Sequence, residues 1–222
     1  MLARKFVYAL VIGCLVIAAP QTSKATSIAD LINNNGNIMS GNLLFNNFTY
    51  ASGGNMPLAA DVQVIAIAGG IRFQGPFVDL FGGAGSDALI TFDVSSKNPG
   101  VEQINGVSMT ANTEIIGTPG QENGFVGVTE TFLPGVPNAS LEVFDVEPGG
   151  EVLFDSLVFA QGYDMLSVQK DILAIAGALG STATLSFIDQ TFTTTDVPEP
   201  GSMMLLLSGI LGASIKRKKS VA

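Results

Sequence analysis

The sequence predicts an all-β fold: a single antiparallel β-sandwich of about nine to eleven strands. An N-terminal signal peptide and a C-terminal transmembrane helix flank it. Three observations point there. Apolar residues in the middle of the chain recur at every second position, the period of a half-buried strand. The runs are rich in β-branched and aromatic residues and are separated by Gly, Pro, Asn and Asp clusters, which is strand-and-turn chemistry. Uncharged apolar runs of a different kind stand at the two ends.

The chain begins with Arg4 and Lys5, then an apolar run from Phe6 to Ala19, then Pro20 and a polar stretch ending in Ser23-Lys24-Ala25. A basic start, an apolar core and small residues at the −3 and −1 positions, Ser23 and Ala25, make a Sec-type signal peptide over residues 1–25. Cleavage is expected after Ala25. The single cysteine, Cys14, lies inside this apolar core. A lipoprotein would carry it at the cleavage point.

The body is expected over residues 26–192. Its first segment, Ser27-Ile-Ala-Asp-Leu-Ile-Asn33, allows one short helical turn. In Ala88–Val94, Ala88, Ile90, Phe92 and Val94 alternate with Leu89, Thr91 and Asp93. In Ser140–Val146, Leu141 and Val143 face one way and Glu142 and Phe144 the other. In Thr184–Phe192, Leu185 and Phe187 are set against Ser186, Ile188 and Gln190. Residues 61–68, 125–132, 151–159 and 164–176 read likewise. Asp171–Gly180 has a helical composition, yet it continues the alternation of Leu166, Val168, Lys170 and Ile172, so strand is preferred. Between the runs lie 52–57, 82–87, 95–100, 118–124, 133–140 and 147–150, all turn-forming. The longest irregular stretch is expected near Ala111 to Gly124. Nothing divides the body into two domains.

Composition excludes whole classes of chemistry. The chain of 222 residues has no histidine and one cysteine. Ser-His-Asp and Cys-His hydrolases, histidine or cysteine metal centres and an internal disulfide are therefore ruled out. From Thr26 to Asp196 the basic residues are Arg72, Lys97 and Lys170, against eighteen acidic ones, a formal charge of −15. Such a surface favours solubility and repels nucleic acid.

Motifs for a ligand are few. Glu142, Asp145, Glu147, Glu151 and Asp155 crowd one hairpin. Calcium there is the one cofactor the sequence leaves open, but no Asp-x-Asp-x-Asp-Gly loop is present. Gly82–Asp87 is glycine-rich but lacks the cation and following helix of a phosphate loop. Phe73, Phe77 and Phe81 are candidates to line a carbohydrate groove. No acid–base pair is marked out, and no enzyme activity is expected.

The last thirty residues, 193–222, read as a linker followed by an anchor. Val197-Pro198-Glu199-Pro200 is followed by a chargeless run from Gly201 to Ile215, then Lys216-Arg217-Lys218-Lys219. As a helix the run spans about 22 Å, short of a hydrocarbon core of about 30 Å, so snorkelling lysines would help anchor it. The basic tip would stay cytoplasmic as a stop-transfer signal. Prolines at alternate positions keep the segment before the run extended and short of backbone donors, a form that suits a protease cleft.

These parts, in this order, resemble the PEP-CTERM sorting signal of bacterial surface proteins, which accompanies a signal peptide. The resemblance implies export through the Sec translocon and transient anchoring in the membrane. It also implies recognition at Val197, Pro198, Glu199 and Pro200 by an exosortase, a membrane protease or transpeptidase. Release to the cell surface or the exopolysaccharide layer would follow. On that reading the chain is a substrate and not the enzyme. The alternative for the body is a carbohydrate- or calcium-binding module at the cell surface.

Overall fold

In the computed structural model the described residues are 24–197, apart from 83, 119, 121, 134, 135, 137 and 138. The expected signal peptide through Ser23, the anchor run, and most of the sorting motif with its basic tip lie outside them. Among the described residues no helix is long and apolar enough to cross a membrane.

Among the described residues thirteen strands form two antiparallel sheets, with one helix beside them. Ten strands are five residues or longer: β3 (Leu43–Ser52), β4 (Gln63–Ile67), β5 (Gly70–Leu80), β6 (Ser86–Ser96), β7 (Glu102–Ile116), β8 (Gly124–Leu133), β9 (Ser140–Glu147), β11 (Phe154–Tyr163), β12 (Met165–Ala176) and β13 (Thr182–Asp196). The other three are β1 (Thr26–Ser27), β2 (Ile38–Ser40) and β10 (Gly150–Val152). The count exceeds the expected nine to eleven because two or three residues cannot display an alternation. All three short strands pair at a sheet edge, where brevity limits unwanted pairing. The expected helical turn is α1 (Ile28–Asn33), capped by Ser27, whose Oγ accepts from the Asp30 N–H at 3.1 Å.

One sheet has the order β1-β4-β5-β13-β7-β11, the other β10-β9-β8-β12-β6-β3-β2. Alternation decides what lies between them. Along β6, Ala88, Ile90, Phe92 and Val94 are buried, as their spacing predicts. Phe92 is the hub of the aromatic core. Its ring centroid lies 5.6 Å from that of Phe73, 5.9 Å from Phe48 and 6.1 Å from Phe45. Where strands approach closely the side chain disappears. A Cβ on Gly70 would stand 1.8 Å from the Gln190 carbonyl oxygen, so no larger residue fits the β5–β13 contact.

Three expectations are corrected. Residues 111–116 are not irregular; they finish β7, paired with β13 from Ala111↔Ile188 to Ile116↔Thr182. Their polar residues belong to a strand with one wet face. Residues 193–196 are not linker, since β13 stays paired with β7 through Asp196↔Glu102. Finally, β13 does not keep one alternation along its length. A register shift between Leu185 and Phe187 leaves Leu185, Ile188 and Gln190 buried and turns Phe187 outward. A bulge of one residue reverses every side chain beyond it.

Candidate functional site

The first candidate site is the point where the tail leaves the sandwich. Up to Thr191↔Gly70 strand β13 has β5 on one side and β7 on the other. Beyond one further bond, from the Phe192 N–H to the Gly69 carbonyl at 2.9 Å, β7 alone pairs with it among the described residues. Thr193 Oγ1 donates to Asn105 Oδ1 at 3.0 Å, Thr194 Oγ1 donates to Glu102 Oε1, and the Val197 N–H donates to the Val101 carbonyl at 2.7 Å. The next residue, Pro198, has no N–H with which to extend this ladder. Among the described residues Val197 is the last one tethered. No slack chain separates it from the domain.

The entry point lies at the same end. Thr26 of β1 pairs with Val64 of β4, and Ala25 and Lys24 precede it in the direction of Ile67. Ile67 pairs with Gly70, which in turn pairs with Thr191. Both described termini therefore run toward one end of the same sheet, three strand spacings or about 14 Å apart across it, with Val197 seven residues further along than the level of Lys24. The β6–β7 connection reaches this end too, with Lys97 and the exposed Val101. Leu133 and Met165, half-exposed at the ends of β8 and β12, stand there by register: Ser167 pairs with Leu133, and Met165 with Ser95. The end face mixes these apolar groups and Lys97 with the carboxylates of Glu102, Asp164 and Asp196.

A second cluster lies in the core. Lys170 of β12 is fully buried, and so are Glu130 of β8 and Gln190 of β13. Lys170 and Glu130 are directly paired neighbours in one sheet; Gln190 faces them from the other. Lys170 Nζ donates to Glu130 Oε2 and to Gln190 Oε1, and lies 3.4 Å from Met109 Sδ of β7. Gln190 Nε2 donates to the Ser108 carbonyl at 3.2 Å. Glu130 Oε1 has no partner. Burial pushes the Lys170 amine below the usual lysine range, opposed by the charge and hydrogen bond of Glu130. Burial pushes the Glu130 carboxyl up, opposed by Lys170. Both directions favour the uncharged pair. In the sequence Lys170 stands only as a step in an alternation. The available signal was its phase: Lys170 falls in step with Leu166, Val168 and Ile172, and Glu130 with Val126, Val128 and Phe132.

The remaining candidates do not form sites. Among the described residues no group of three or more acidic side chains is placed to hold a metal ion. Asp155 on β11 accepts from the Glu142 N–H at 2.9 Å. Asp145 turns inward beside Thr113, and burial, then the charges of Glu151 and Glu147, push its carboxyl up. Phe73 and Phe77 are core residues and Phe81 is exposed, so the three line no common groove. Around the glycine-rich turn, buried Asp79 accepts from Ser86 Oγ at 2.6 Å and from the Ala176 N–H at 2.8 Å. That turn is a structural lock. On the outer face Arg72 donates to both Asp189 oxygens, at 2.6 and 2.7 Å, with its guanidinium 4.0 Å above the outward-turned Phe187.

Residues 196–218 match the family described as the PEP-CTERM protein-sorting motif, so the chain carries that motif from Asp196, the last strand-paired residue among those described. No curated protein matches the chain. Among solved structures it is similar to TmCBM61 in complex with beta-1,4-galactotriose, at 9% identity and TM-score 0.29, over 65% of this chain and 88% of that one. It is also similar to a family 29 carbohydrate-binding module from Piromyces equi, at 7% identity and TM-score 0.21, over 77% and 91%. A third likeness is to the enzymatically active domain of bacteriophage CBA120 tailspike protein 4, at 13% identity and TM-score 0.24, over 69% of this chain and 20% of that one. Scores this low carry no conclusion about a shared ligand.

Proposed function

We propose that this chain is a non-enzymatic exported surface or extracellular-matrix protein, sorted and processed through its C-terminal signal. The observation that carries the reading is the sorting motif at residues 196–218. It begins at Asp196, where the β13–β7 pairing ends. A protease acting near Pro198-Glu199-Pro200 would meet extended chain, while the folded body ahead of Val197 offers it only paired strand. The shared exit end supports the same reading. A preprotein held by a signal peptide and a C-terminal anchor has both termini at one membrane surface, and Lys97, Val101, Leu133 and Met165, together with Glu102, Asp164 and Asp196, are the groups at that end. The acidic remainder would face water. The partners in this reading are the Sec translocon, an exosortase-type membrane protease, the membrane before processing, and exopolysaccharide after it.

The test is intact-mass analysis of the protein from its native host, with and without the exosortase. A product ending near Pro198–Pro200 only when the protease is present is the expected result. Retention of Lys216 to Ala222 in both strains would overturn the processing claim and leave a plain C-terminal anchor.

A further inference from the structure

The buried cluster at the centre of the sandwich is more than a misplaced ion pair. Three reactive groups meet there with water excluded: a primary amine, a side-chain amide and a carboxyl. They come from both sheets. Lys170 and Glu130 belong to one, Gln190 to the other. Lys170 Nζ contacts the carbonyl end of the Gln190 amide and one oxygen of Glu130. The hydrogen bond from Gln190 Nε2 to the Ser108 carbonyl, 3.2 Å long, orients that amide with its carbonyl toward the amine. The second Glu130 oxygen has no other partner, and the Gln190 side chain lies close enough to Glu130 to influence its carboxyl.

We propose that Lys170 and Gln190 condense spontaneously into an amide that staples β12 to β13 across the core, with Glu130 as the proton shuttle. Lys170 Nζ, as the free amine, adds to Gln190 Cδ. One Nζ proton passes through the Glu130 carboxyl to Nε2. The Cδ–Nε2 bond breaks, ammonia leaves, and Glu130 ends in the state in which it began. Atoms balance with no oxidant, reductant or further reactant: amine plus primary amide gives secondary amide plus ammonia.

Each group has the property its role requires. A lysine is a nucleophile only when uncharged, and desolvation favours that form; burial is the largest influence on Lys170. A shuttle must be able to hold a proton, and burial raises Glu130. Exclusion of water suppresses hydrolysis of the intermediate. The reach is also right, because a lysine stem and a glutamine stem together match the roughly 10 Å between facing sheets. A Lys170–Glu130 amide fits less well. It would consume the carboxyl that moves the proton, and it would join residues already paired in one sheet. The chain's one cysteine, Cys14, lies in the expected signal peptide, so a side-chain amide is the internal cross-link open to the exported body. The bond would form whether or not the tail is processed, so the two readings fail separately.

The test is peptide mapping of the folded, full-length chain after denaturation. A protease cutting after glutamate, which spares the Glu199–Pro200 bond, releases the chain from Val152 onward as one fragment, which holds both Lys170 and Gln190 and no asparagine. That fragment is expected to be lighter by one ammonia, with trypsin unable to cut at Lys170. Asparagine succinimides, the usual source of such a loss, cannot arise in it. An unmodified fragment, cut normally at Lys170, would overturn the proposal and leave a non-covalent cluster. Loss of one water, with that fragment joined to the one carrying Glu130, would also overturn it. Glu130→Gln should abolish the ammonia loss in chain that remains folded by circular dichroism; persistence of the loss would refute the role of Glu130.

Discussion

Replacing Glu130 by leucine should expose the electrostatics of the core in a way that can be read as a pH slope. Glu130 and Lys170 are both fully buried. Breaking a buried pair by removing one partner costs about 3–5 kcal/mol, because the remaining group is left uncompensated. Most domains have only about 5–15 kcal/mol in all, so the loss should be evident in any denaturant titration. The structure also sets the sign of a pH effect. Burial lowers the Lys170 pKa, and the two influences that raise it, charge and hydrogen bond, both come from Glu130. The other neighbours are uncharged: Gln190 from β13, Met109 from β7 and Ile90, its partner on β6. In Glu130→Leu the folded-state pKa of Lys170 therefore falls further, while the unfolded chain keeps its proton up to about pH 10. The unfolded state binds more protons, so stability rises with pH and is lost as pH falls toward the folded pKa. The full effect is about 1.4 kcal/mol per pH unit. The assay is urea unfolding from pH 6 to 9, with Glu130→Leu/Lys170→Met as reference. The double variant lacks the Lys170 slope and should regain much of the lost stability. Equal slopes in the single and double variants would refute the placement of Lys170 in a dry core.

Three further outcomes follow from the packing. Phe92→Ala removes the hub of the aromatic core and should cost about 3–5 kcal/mol in denaturant unfolding, without a change of topology. Asp79→Ala deprives Ser86 Oγ and the buried Ala176 N–H of their acceptor; about 1–3 kcal/mol is expected from the stranded donor, read as a lowered Tm. Asp189→Asn breaks a pair on the outer face, should cost less than about 1 kcal/mol, and should lose even that difference in high salt.

Much of the architecture was legible because alternation is a local property. Ala88, Ile90, Phe92 and Val94 announce a strand and its buried face without reference to anything else. The tail was legible for a similar reason: prolines, a chargeless run and a cationic tip act through their own chemistry and their order along the chain. The short strands β1, β2 and β10 were not, since they exist only through their partners. Nor was the end of the body, because the pairing of Thr193–Asp196 with β7 depends on residues about ninety positions earlier. The core cluster was the least legible. Lys170 and Glu130 carry a signal in their phase, but Gln190 read as the face opposite Leu185 until the bulge near Ser186 turned it inward. What the sequence alone determined was the fold class, the acidic character of the body and the sorting tail. These follow from local periodicity, composition and motif. Only the tertiary structure brought an amine, an amide and a carboxyl from three strands into one dry volume, because that meeting depends on sheet order and a shift of register, which no single stretch of chain encodes.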